Sequence, residues 1–140
     1  MSVLKTVSIG LIFLLFINCT GTKEINPLNH LKSTSWALSS LMGQGLDLNQ
    51  FSGGLPMLNF LDDGKLAGFS GCNNFSGNFL LESSGLLLDP GAITKKICPG
   101  RGEQDFIAVM KKVKNFKISK DKLILLDGDT ELMSFVPKKQ

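Results

Sequence analysis

The sequence predicts a small α+β domain, mainly antiparallel β, with a curved or barrel-like sheet and one amphipathic helix packed on it. Three observations carry this reading. Short apolar runs are separated by tight-turn pairs such as Asp63-Gly64 and Asp127-Gly128, the spacing of hairpins. One stretch, "EQDFIAVMKKVKNF", shifts to a helical period. A chain of 140 residues suits one domain and leaves no room for a second large one.

The first element lies outside that domain. "MSVLKTVSIGLIFLLFINC" has one early Lys5 and then an apolar run, too short and too N-terminal for a comfortable membrane span. Residues 1–18 are read as a lipoprotein signal peptide, with Cys19 as the lipidation site. Phe16 and Asn18 depart from the usual residues before such a cysteine, so a signal anchor or plain secretion with Cys19 idle are the competing readings. Several acyl chains, at about 0.8 kcal/mol per buried methylene, would hold the protein on a membrane. Thr20 is not the aspartate associated with inner-membrane retention, which points to the outer membrane, facing the periplasm. Residues 19–34 are polar, contain Pro27 and lack an apolar period, and are read as a tether ordered only near its end. Its lone His30 is discounted as a catalytic base, because a tether cannot hold one in register.

The domain is expected over residues 35–140. Trp36, Leu38 and Leu41 suit a first strand anchored by the tryptophan. "GQGLDLNQFSGGLP" reads as loop, and Met57–Leu61 and Lys65–Phe69 as a hairpin about Asp63-Gly64. Asp62 and Asp63 lack further oxygen ligands at metal-binding spacing, so no metal is expected. "NFSGNFLLE" and "LLLD" flank a turn at Ser84-Gly85, and "ITKKIC" reads as a short strand ending at Cys98. Phe106, Val109, Met110 and Val113 then fall on one helical face. Glu103 and Asp105 open that helix and Lys111, Lys112 and Lys114 close it, matching its dipole. "FKIS", "KLILL" and "TELMSFV" form a closing meander.

Charge and cysteines narrow the function classes. From Lys95 to Lys122, nine basic residues face three acidic ones. That stretch is either a basic face for anionic headgroups or an acidic partner, or a solvated surface spread over a helix and a hairpin; the second is favoured. An exported chain with one arginine and no basic–aromatic motif is not expected to bind nucleic acid. With Cys19 lipidated, Cys72 and Cys98 remain, and an even pair in an oxidising compartment reads as a disulfide. "GFSGCNNFSGNF" around Cys72 admits three readings: a nucleophile loop, a ligand cradle or a structural turn. The domain offers no histidine base and no tyrosine, so a cysteine nucleophile is disfavoured. Phe69, Phe75 and Phe79 suit core anchors; Gly68, Gly71 and Gly77 permit close approach or positive φ; Asn73 and Asn74 suit a turn.

Taken in order, these pieces resemble the META domain, the family of HslJ-like heat-inducible envelope lipoproteins. The match runs from about Ser35 to Val136: "W-x-L" at Trp36, "L-x-F-x-x-D-G-K-x-x-G" ending at Gly68, "G-C-N-x-F-S-G-x-F" through Gly71, Cys72, Asn73, Phe75 and Gly77, "I-T-K-x-x-C" through Thr94, and Glu103 opening the helix. The resemblance implies a compact envelope-attached domain linked to stress tolerance, with these residues structural or binding, and it implies no known reaction. The expectation is a non-catalytic, monomeric, lipid-anchored module without cofactor, meeting the membrane through its lipid and an unidentified envelope protein. The alternatives are an inhibitor-like lipoprotein acting on an envelope enzyme, and a carrier of a small apolar ligand.

Overall fold

The structure, a computed structural model, describes residues 26–83 and 85–139. The signal peptide over 1–18, the lipidation site Cys19 and Ser84 of the turn at Ser84-Gly85 lie outside them. Among the described residues, no helix is long and apolar enough to cross a membrane.

The first element revises the end of the tether expected over residues 19–34, whose residues 19–25 lie outside the described ones. Pro27–Ser33 form a helix, α1. The Asn26 side chain caps it by accepting from Leu28 N and Asn29 N at 3.1 and 3.3 Å, and Pro27 sits in the first turn, where its missing N–H costs nothing. Leu31 is fully buried, and its carbonyl accepts from the Trp36 indole N–H at 3.0 Å. The segment is polar in composition, yet a single leucine, Leu31, docks it on the domain.

The strands are β1 (Ser35–Leu41), β2 (Gln44–Gly45), β3 (Met57–Phe60), β4 (Lys65–Phe69), β5 (Asn74–Glu82), β6 (Gly85–Ile93), β7 (Asn115–Ile118), β8 (Leu123–Asp127) and β9 (Thr130–Pro137), with helix α2 (Gly102–Met110) between β6 and β7. Each strand from β3 onward pairs antiparallel with the next, and β9 pairs with β1, so eight strands close a barrel, with β2 a short flap on β1. Closure pairs most of the strand edges that an open sheet would expose, the exception being β6 beyond Leu86. The weakest seam is β6–β7, joined at Gly85 opposite Asn115 and by Leu86 N to Lys114 O at 2.8 Å. Helix α2 covers that seam with Phe106, Val109 and Met110, and Val113 follows just beyond its end; all four are buried, as their spacing predicts.

Period-two alternation fills the interior. Phe75 and Gly77 on β5, and Leu86, Leu88 and Pro90 on β6, point inward while their neighbours face water. The centre is occupied by Trp36, Phe60, Phe106 and Phe135, with Phe106 and Phe135 in edge-on contact at 6.5 Å. Phe79 packs edge-on against Phe60 at 5.2 Å, but Phe69 is only half-buried and does not join the core, contrary to the sequence expectation.

Strand alternation sorts the connections into two ends. At one end, the α1 end, lie the β3–β4 and β7–β8 turns and the C-terminus. His30 Nε2 there meets Ser119 O and Lys120 O at 3.1 and 3.0 Å, and Lys32 pairs with Asp62 at 2.5 Å. At the other, the distal end, lie residues 42–56, 70–73 and 94–101 and the Gly128-Asp129 turn. "ITKKIC" is not a strand: β6 stops at Ile93, and residues 94–98 leave the sheet for that end.

Candidate functional site

The sequence motif "GFSGCNNFSGNF" folds as the β4–β5 connection at the distal end. Phe69 pairs with Asn74, so Ser70-Gly71-Cys72-Asn73 forms a four-residue turn, closed by Ser70 N donating to Asn73 O at 2.8 Å. Gly71 carries φ +94°, and a Cβ there would run into the buried Phe51 ring. Glycine is therefore required twice over, for the backbone angle and for the ring that seals the barrel mouth. Gly68 and Gly77 serve close approach instead. A Cβ on Gly68 would collide with the Met57 carbonyl and the Phe75 ring, and one on Gly77 with the Asp89 carbonyl.

Asn73 organises the site. It is 3 % exposed, and its side chain is fully engaged. Oδ1 accepts from Lys96 N at 2.6 Å and from Thr94 Oγ1 at 2.9 Å, while Nδ2 donates to Lys96 O at 2.9 Å and to Glu103 Oε1 at 2.9 Å. Glu103, in the first turn of α2, also accepts from Asn73 N at 3.0 Å and contacts Ser70 Oγ. A carboxylate held by several donors at a helix N-terminus is in its most favourable place. One asparagine thus ties together the β4–β5 turn, the 94–101 segment and α2.

That segment is fastened along its length. Thr94 N donates to Asn74 O at 3.0 Å, and Thr94 Oγ1 accepts from Asn74 N at 3.1 Å. Both backbone groups of Lys96 are held by Asn73. Cys98 forms a disulfide with Cys72, with Cα atoms 5.9 Å apart. Ser52 Oγ donates to Pro99 O at 3.1 Å, and Gln50 Oε1 accepts from Arg101 N at 3.1 Å. Between these fastenings stands Ile97, 95 % exposed, the most exposed of the large apolar side chains among the described residues. A cleft of about 170 Å³ lies beside it, lined by Gln50, Lys96, the disulfide, Pro99 and Gln104. A shallower groove along α2, formed by Ile93, Ile107, Ala108 and Lys111, shares Glu103 and Gln104 with that cleft.

The sequence-derived site residues are thus gathered unequally. Gly71, Cys72, Asn73, Thr94, Cys98 and Glu103 meet at the distal end. Trp36, Phe75, Gly68 and Gly77 belong to the barrel wall and core. His30, far from the cysteines at the α1 end, is held in place by its two carbonyl partners and stacks edge-on to Trp36 at 5.6 Å. The supposed tether does fix it, with Nε2 engaged by two backbone carbonyls. Asp62 is occupied by Lys32, and no group of three or more metal-ligating side chains forms among the described residues. Sequence reasoning missed Ser70, Gln50 and Ser52, and above all Ile97. The signal for Ile97 was an apolar residue in a Lys- and Pro-Gly-bounded stretch that need not continue a strand.

A family model described as META domain matches residues 29–140. Among solved structures, the chain is similar to a DUF4847 family protein from Bacteroides vulgatus, with 14% identity over 79% of this chain and 96% of that one and a TM-score of 0.60. It is also similar to a protein from Burkholderia xenovorans, with 20% identity over 82% and 90% and a TM-score of 0.60. At these identities the likeness is one of fold. No curated protein matches the chain.

Proposed function

The chain belongs to the META domain family, and from that membership we propose that it is a non-catalytic, lipid-anchored envelope protein whose barrel presents a preorganised loop to a protein partner. The observation that carries the proposal is Ile97: a nearly fully exposed isoleucine on a segment held by a disulfide, an asparagine clamp and two further side-chain bonds. An apolar side chain in water has no stabilising role in the fold, and fixing its backbone removes ordering cost from association. The anchor at Cys19 and the outer-membrane, periplasm-facing location follow from the leader sequence, and a part in envelope stress tolerance follows from the family resemblance.

The non-catalytic reading is supported by the chemistry at hand. The domain's two cysteines are paired with each other, and the histidine sits at the opposite end of the barrel. The carrier reading is weakened by an interior filled with Trp36, Phe60, Phe106 and Phe135. The inhibitor-like reading is favoured by the same braced loop, since a rigid apolar tip beside a disulfide suits insertion into an enzyme's pocket. Photo-crosslinking from position 97 in living cells tests the binding role, with position 87 on the barrel wall as comparator. One recurrent protein adduct at 97, absent at 87, is expected; the same diffuse adducts at both positions would refute it.

A further inference from the structure

We propose that the α1 end of the barrel docks on an anionic lipid surface through its lysines, turning the Ile97 end away from the membrane. This rests on the membrane-anchored reading and adds an orientation to it. The fold divides the basic cluster seen in the sequence. Lys95, Lys96 and Arg101 go to the distal end, where Asp47, Glu103 and Asp129 balance them. At the α1 end, Lys117, Lys120, Lys122, Lys138 and Lys139 are exposed, and none pairs with a carboxylate among the described residues. Lys65 adds a sixth cation, and Lys32 and Asp62 cancel each other. The opposing exposed carboxylates at this end are Asp63, Asp121 and Glu82.

These lysines surround the point where the chain enters the domain. The His30 bonds bring the β7–β8 turn against α1, and Lys138 N donates to Ser35 O at 2.8 Å, which sets the C-terminal lysines beside the end of α1. From Cys19 to Asn26 the chain spans at most about 25 Å fully extended. The field of an anionic leaflet decays over roughly 10 Å. With Cys19 in the lipid, the α1 end is the part of the domain that the tether delivers into that field, and lysine is attracted there. The most exposed apolar side chains lean the opposite way: Ile97, Leu48 and Met42 lie at the distal end, whereas Leu87 is on the barrel wall and the less exposed Leu28 and Leu61 are at the α1 end. The basic end faces headgroup phosphates and the apolar end faces a soluble partner.

The test uses the full chain extracted from an expressing bacterium and reconstituted with phosphatidylcholine vesicles, with or without phosphatidylglycerol. Fluorophores are placed through Ser119→Cys at the α1 end or Asp129→Cys at the distal end, and headgroup-linked quencher lipid reads proximity. Quenching of the Ser119 reporter should be several-fold greater with phosphatidylglycerol. It should fall in high salt and in the Lys117→Glu/Lys122→Glu variant, while the Asp129 reporter stays unquenched. Equal quenching with and without phosphatidylglycerol, or quenching of the Asp129 reporter instead, would overturn the docking. Flotation with neutral vesicles reports the lipid anchor separately. A chain that floats only with phosphatidylglycerol vesicles lacks the anchor but supports the docking; one that floats with neither refutes both.

Discussion

Asn73 is the residue on which the distal end depends. Replacing it with alanine strips partners from the Lys96 N–H and carbonyl and from Glu103 at once, and a buried unsatisfied group costs about 1–3 kcal/mol. Asn73→Ala is therefore expected to destabilise the domain by about 2–4 kcal/mol in a denaturant titration, above Thr94→Val, which loses the hydroxyl's links to Asn73 Oδ1 and Asn74 N at about 1–2 kcal/mol together. Ile97→Ser should change stability by no more than about 0.5 kcal/mol, because the side chain packs on nothing. A large loss there would mean that the isoleucine serves the fold rather than recognition. Gly77→Ala places a methyl against the Asp89 carbonyl of the paired strand, so it should cost about 1–3 kcal/mol or more by the same titration.

At the scale of elements, α1 and α2 close the two weak places of the barrel, its α1 end and the β6–β7 seam. Leu31→Ala should cost about 2–5 kcal/mol by thermal or chemical melt, with Trp36 fluorescence changing in the native state as the contact loosens. α2 was legible in the sequence because four apolar residues over two turns set its period, and the strands because turn pairs bound them. α1 was not, since seven residues are too few for a period; its signal was the Asn26-Pro27 cap and first turn. The 94–98 segment was misread because Ile93 and Ile97 are spaced like strand residues, whereas the Asn73 clamp and the disulfide pull it out of the sheet. Asn73, Thr94 and Glu103 were legible as motif members but not as one cluster. Asn73 bonds both of the others, and its remaining partners are the Lys96 N–H and carbonyl, backbone atoms that leave no mark on a sequence.

For the whole molecule, the signature residues join two tasks, sealing the distal mouth of a META barrel and fastening the backbone on either side of one exposed apolar residue, Ile97. The disulfide spans 26 residues, which corresponds to about 3.5 kcal/mol of restricted unfolded-chain entropy. Reduction, or paired Cys72→Ala/Cys98→Ala replacement, should thus lower the melting temperature by many degrees without changing the far-ultraviolet circular dichroism of the folded state. An unchanged melting temperature would refute a stabilising bridge. Fastened by the disulfide and the Asn73 clamp, the 94–101 loop should be rigid in the free protein, and ¹⁵N relaxation of the oxidised chain measures this residue by residue. A backbone order parameter near 0.85 at Ile97, equal to that of the barrel strands, is the predicted result; a value below about 0.6 would contradict it.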